Sequence, residues 1–226
     1  MKQLLRLEMK KNNFKQIILG GVVTSGVLLV YLIMTGVLGG NSSVSYTHYF
    51  ASVIAYNKMI FTIFASVLII RMFSEEISSK SISILFTYPI PRKQLLIAKV
   101  ILVIGTTLPL MFLSMLFHFI VLAILNLGLG FAEGGITAGF CLSYVLATLL
   151  HSIFASFAAL IPIICDIKWS SAQKTLIASA VLALFLYSIK GSSLFGIAIG
   201  LVILAAGLGI LLTKRAIQMV INKDIM

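Results

Sequence analysis

The chain has 226 residues, 60% of them hydrophobic and only 10% charged, with a mean hydropathy of +1.14. A water-soluble domain carries about 25% charged residues; a soluble fold of this composition would leave too much apolar surface uncovered, and the abundance of core-forming side chains excludes disorder. The formal charge of +11, from 17 Lys+Arg against 6 Asp+Glu, sits in short segments beside apolar runs, which points to membrane orientation and not to nucleic acid.

At ~20 apolar residues per spanning helix, the expectation is an all-α membrane protein with about six spans, residues 1–226 forming one transmembrane domain. Residues 2–15 come first and read as an amphipathic helix lying in the membrane surface. Leu4, Leu7, Phe14 and Ile18 recur on one face, and Gln3, Arg6, Lys10 and Asn13 fill the other. A plain basic anchor before the first span is the alternative. The first apolar run, Ile17–Leu38, is too long for the 7–15-residue core of a cleavable signal peptide, so it is expected to span and stay.

The second run is Ala55–Phe73. It contains Lys58, and a charge at mid-bilayer costs ~2.5–3.5 kcal/mol on insertion scales. With the span starting at Ala55, Lys58 lies one turn from the outer end and is expected to snorkel outward. The alternative is that it lines a polar pathway or a dimer seam.

A long loop follows, Arg71 to Lys99. Ser74 can cap a helix over residues 74–88, with Glu75 and Glu76 in its first turn, where carboxylates suit the helix dipole. Ile77, Ile84, Leu85 and Tyr88 fall on one side, and Pro89-Ile90-Pro91 ends the helix before Arg92 and Lys93. A mere connector needs no such pattern, so the helix is expected to dock a partner.

Four further runs complete the chain: Ile97–Ile120, Phe140–Ile164, Ala172–Ile189 and Leu194–Leu212. The last two form a helical hairpin through Lys190-Gly191-Ser192-Ser193. Cys141 and Cys165 lie at opposite ends of the fourth run, ~30 Å apart on a helix, and are not expected to pair. Gly36 and Gly40, and Gly196 and Gly200, have the small-xxx-small spacing that permits close helix contact.

Of the 17 basic residues, Lys2, Arg6, Lys10, Lys11, Lys15, Arg71, Lys80, Arg92, Lys93, Lys99, Lys168, Lys174, Lys214, Arg215 and Lys223 fall in one alternating set of segments. Only Lys58 and Lys190 fall elsewhere. The asymmetry predicts that both termini are cytoplasmic, with an even number of spans.

Motifs of intramembrane chemistry are few. There is no Gly-rich loop ending in Gly-Lys-Ser/Thr, and none of His48, His118 and His151 has a metal-spaced partner. His118 and His151 are expected as packed neutral imidazoles, with pathway lining as the alternative. Glu75-Glu76-Ile77-Ser78-Ser79-Lys80 resembles the Glu-Glu-x-x-x-Arg signature of intramembrane prenyl-protein proteases, but ends in Lys80 and has no companion histidine motif. An ion-coupled carrier would need buried ionisable groups on a midplane path, and only Lys58, His118 and His151 are available.

Phe73-Ser74-Glu75-Glu76, Ser81, Leu85, Tyr88-Pro89-Ile90-Pro91-Arg92 and Lys99 together resemble the cytoplasmic loop of type-2 ABC transporter permeases. Pro89-Ile90-Pro91-Arg92 supplies that family's Pro-x-x-Arg group, whereas Lys80-Ser81 stands where Gly-Thr is usual. The resemblance implies a permease with six spans, an interfacial N-terminal helix and a coupling helix. It implies two copies of a separate ABC ATPase docking on the N-terminal helix (Arg6, Lys10) and on the loop (Glu75, Glu76, Ile77, Ile84, Leu85, Tyr88, Pro89, Arg92). ATP and Mg would be bound by that partner and no cofactor by this chain. A second permease chain, identical or related, would complete the unit in the bacterial cell membrane. Small members of the family often export peptides, antibiotics or lipids, or confer immunity to them. A non-transporting six-span protein, such as a sensor or assembly factor, is the other class to weigh.

Overall fold

The computed structural model describes residues 2–38, 46–74, 92–129, 137–169, 171–189 and 195–223, and all regular structure among them is helical. The helices are α1 (Lys2–Lys11), α2 (Phe14–Leu38), α3 (Tyr46–Ile69), α4 (Arg92–Leu129), α5 (Ala138–Ala158), α6 (Ile163–Trp169), α7 (Ala172–Ser188) and α8 (Phe195–Lys223). A π-helical turn, Ile70–Ser74, extends α3.

Four segments are long and apolar enough to cross a membrane among the described residues: Phe14–Thr35, Tyr49–Phe73, Gln94–Gly128 and Ala138–Lys168. Ala172–Ser188 is apolar but shorter. Against the expected six spans, the described residues thus give four full-length candidates and one shorter apolar helix, and the 29-residue α8 is not among the four.

The surface has the polarity of a membrane protein. Val22, Val23 and Val27 on α2, Leu113, Phe117 and Ile124 on α4, Ile177 and Val181 on α7, and Leu204 and Leu208 on α8 all point outward. Asn57, Lys58, Thr62, Ser66, His118, Thr148, His151, Ser152, Thr175 and Ser179 are buried. Water would favour the reverse arrangement; hydrocarbon favours this one.

Helix α3 is central and packs against α2, α4, α5 and α7. At one end of the bundle Phe50 meets Phe119 and Tyr144 with ring centroids 5.0 and 5.5 Å apart, and Phe140 completes the layer. At the other end a second cluster joins Ile17, Met72, Phe73, Val103, Leu160, Ile163 and Ala216, with Leu5 and Met9 of α1 packed against it. The basic ends of α1, α4, α6 and α8 gather around this second cluster.

Several sequence expectations are revised. The N-terminal helix stops at Lys11 and not at residue 15, because Asn13 adopts the left-handed conformation (φ 46°) that asparagine tolerates and the chain turns into α2. The inward face of α1 carries Leu5, Glu8 and Met9, with Asn12 buried just past its end, while Leu7, expected on the apolar face, is 65% exposed. Helix α3, which carries the second span, begins nine residues before Ala55. Lys58 therefore lies three turns inside α3 and is 1% exposed, so it does not snorkel.

The fourth apolar run is two helices. Pro162 has no N–H and its ring excludes the carbonyl four residues back. The chain passes through a turn there, with Leu160 and Ile161 donating to the carbonyls of Phe157 and Ala158. Cys141 and Cys165 fall on different helices and are both free thiols. In α4, Pro109 lies within the helix, and Thr106 and Thr107 turn their hydroxyls onto the Leu102 and Val103 carbonyls at 2.9 and 2.8 Å just before it. Helix α8 meets the bend after α5 at Gly209, where an added Cβ would lie 2.2 Å from the Phe157 oxygen. The proline bend and the missing side chain together let the two backbones touch.

Candidate functional site

The interior polar groups form two devices on α3, because adjacent helix residues point about 100° apart. Asn57 turns toward α2 and α4. Its Nδ2 donates to Ser114 Oγ at 3.1 Å and lies 3.0 Å from His118 Nδ1. His118 Nε2 is 3.0 Å from the Ser25 carbonyl oxygen. A carbonyl can only accept, so Nε2 carries the proton and Nδ1 accepts from Asn57. Ser25 Oγ and Ser114 Oγ close the node at 3.0 Å. The node joins three helices around a fully buried His118; Asn57 Oδ1 is left without a hydrogen-bond partner.

Lys58 turns toward α7. Its Nζ donates to the Ile189 carbonyl oxygen at 3.2 Å, at the carboxyl end of that helix, where the helix dipole favours a cation. Two residues away on each helix, Tyr187 donates to Tyr56 at 3.1 Å, and Tyr31 reaches the same hydroxyl at 3.4 Å. His151 on α5 lies within electrostatic range of Lys58. The surrounding hydroxyls do not cross between helices. Thr62, Thr148, Ser152, Ser156 and Ser179 each donate to a carbonyl of their own helix. They make a close-packed, internally satisfied seam.

At the basic end a second buried lysine acts on a helix end. Lys99 Nζ donates to the Met72 carbonyl oxygen at 2.7 Å, within the π-helical turn, and lies 5.5 Å from the Phe73 ring centre. It is the eighth residue of α4, so the helix opens at Arg92 and not at Lys99. Nearby, Arg71 donates to Gln16 at 3.1 Å, and Thr175 donates to Asp166 at 3.0 Å, tying α7 to α6. Arg6 and Lys10 are exposed on α1, one turn apart.

The family model for ABC-2 family transporter proteins matches residues 4–191. The chain belongs to the ABC-2 transporter family. It is thus the membrane permease of an ABC transporter, a class that works with an ABC ATPase and is not itself the catalytic subunit. It is also similar to the "Uncharacterized protein YcbO" of Bacillus subtilis (strain 168), with 26% identity over 193 residues, covering 82% of this chain and 83% of that protein. No solved structure matches.

Among the residues the sequence singled out in this permease, the structure buries Lys58 and His151 on neighbouring helices, within electrostatic range of each other, and places His118 in a separate node. Glu75, Glu76, Ile77, Ile84, Leu85, Tyr88 and Pro89 lie outside the described residues; Arg92 is the first residue of α4. Sequence reasoning missed Ser25, Asn57 and Ser114. The spacing of Ser114 and His118, one turn apart on a helix, and a lone Asn inside an apolar run were the available signals. The Ile189 and Met72 carbonyls carry no side-chain signature at all.

Proposed function

We propose that the chain is the permease of an ATP-driven exporter for an amphipathic or lipophilic cargo, such as a peptide or an antibiotic. In this reading α7 and α8 supply the fifth and sixth spans, and both termini face the cytoplasm of a bacterial cell. Two permease chains and two ATPases form the working unit. Arg6 and Lys10 on α1, with Glu75, Glu76 and the 74–88 helix, receive the ATPase.

The observation that carries the reading is the basic end. There α1, the π-helical turn leading into the loop, and the start of α4 are held together by Lys99 and the Leu5–Met9 packing. A force applied to the loop would reach α3 and α4 directly.

Co-purification from the native host tests the assignment. Wild-type permease is expected to bring an ABC ATPase with it, and the double variant Glu75→Lys/Glu76→Lys to insert normally but recover at least about tenfold less ATPase, a loss of ~1.4 kcal/mol in docking. Normal recovery and normal transport in the double variant would sink the docking proposal.

A further inference from the structure

Helix α7 stops short. Its 17 residues span about 25 Å, against a hydrocarbon core of ~30 Å. Its carboxyl end is fixed beside Tyr56 and Lys58, and Lys58 lies ~18 Å along α3 from Tyr46. The aromatic layer beyond that level draws on α3, α4 and α5 but takes no residue from α7. Lys58 therefore sits inside the bundle at the point where one helix ends and the others continue.

An ammonium has three donors, and among the described residues one is used, on a neutral carbonyl. The acidic residues among those described are Glu8 on α1 and Asp166 on α6, both at the basic end, and neither pairs with Lys58. The hydroxyls of the seam are turned onto their own helices. A methionine would fill the same volume without bringing a charge out of water. The position holds a cation whose partner in the closed bundle is a weak one.

We propose that Lys58 recognises an anionic head group on the cargo, a carboxylate or phosphate carried by an apolar body. This rests on the permease reading and narrows its cargo class. In the closed state the end of α7 occupies the ammonium. An anion forms the stronger, charge-assisted bond, and it reaches Lys58 only when α7 has moved away from α3. Cargo binding then favours the open arrangement, because the two states differ in what they offer Lys58.

The test uses the permease with its co-purified ATPase, reconstituted in phosphatidylcholine membranes. Oleate and dodecyl phosphate are compared with lysophosphatidylcholine, dodecyl maltoside and dodecyltrimethylammonium as stimulants of ATP hydrolysis. Both anionic probes are expected to act at concentrations about tenfold lower than the others. Activity confined to one of the two identifies the head group. Lys58→Met is expected to erase that preference and Lys58→Arg to keep it, with equal complex yield as the control for folding. Should Lys58→Met give no complex, a second arm applies in a background lacking Cys141 and Cys165: the double variant Tyr56→Cys/Tyr187→Cys, joined by a short cross-linker, should hold α7 on α3 and abolish stimulation by oleate. Equal stimulation by neutral and anionic probes, an unchanged preference in Lys58→Met, its loss in Lys58→Arg, or full stimulation of the cross-linked pair would each overturn the proposal. Failure of any ATPase to co-purify would instead count against the permease reading itself.

Discussion

Lys58 and Lys99 are both buried, and both donate to a main-chain carbonyl at a helix end. Their settings differ. Lys99 lies at the basic end, 2.7 Å from the Met72 oxygen and close to the face of Phe73, so its charge has a short bond and an aromatic ring. Lys58 lies deep in the bundle, 3.2 Å from the Ile189 oxygen. The first arrangement looks built to stay, because it joins α4 to the turn from which the loop departs. The second is a longer bond that joins α7 to α3 beside the Tyr187–Tyr56 hydrogen bond, and it leaves the charge with a weaker partner.

The two contacts act on different helices: Lys58 holds α7 on α3, and the Gly209 contact seats α8 on the end of α5. Breaking that second contact should have the largest effect. Gly209→Ala places a methyl against the Phe157 carbonyl, and overpacking of this kind costs about 3 kcal/mol. A fall of several degrees in the melting temperature of the detergent-solubilised protein is expected. An unchanged melting temperature would mean that α8 is not seated there.

Lys99→Met comes next. It leaves the Met72 oxygen without its donor and removes the tie between α4 and the π-helical turn, for about 2 kcal/mol. The sharper readout is functional: ATPase should still co-purify, while stimulation by cargo falls, because the loop would move without carrying α4. Coupled hydrolysis at the wild-type level would erase the distinction drawn between the two lysines.

The sequence made the bilayer, the basic ends and the family legible, because hydrophobic runs and Lys/Arg asymmetry are properties of many residues at once. The positions of individual polar groups were less so. Lys58 read as a snorkelling residue only because α3 seemed to begin at Ala55; Tyr46–Ile54 is less uniformly apolar, and nothing local marked it as helix. The bend at Pro162 was visible as a proline but hidden in a run long enough for a span. Leu7 faces outward because Leu5 and Met9 fit the cluster beneath α1, a matter of tertiary packing that periodicity alone does not register. The Lys58 and Lys99 bonds end on carbonyls, which every residue has.

His118 separates the charged device from the neutral one beside it. His118→Leu removes the bonds to Asn57 and Ser25, and interhelical hydrogen bonds in membranes contribute about 0.6–1.7 kcal/mol. A loss of ~1–2 kcal/mol is expected, with the preference for oleate over dodecyl maltoside intact, since Asn57 and Lys58 point to different neighbours. Loss of that preference would merge the two devices into one polar lane.

The smallest stability effect is expected at Lys58 itself. Lys58→Met gives up one hydrogen bond to the Ile189 carbonyl, but it also relieves the bundle of a buried charge, and replacing such charges by apolar groups is often neutral or stabilising. The two contributions oppose each other, so the melting temperature should move by the equivalent of less than ~1 kcal/mol. Lys99→Met should lose more than that, because its carbonyl bond is shorter and its charge is already eased by Phe73. Measured side by side in one detergent, the pair gives the sign of the comparison. If Lys58→Met destabilises the protein as much as Lys99→Met, Lys58 is a structural clamp, and α7 is not the helix that moves.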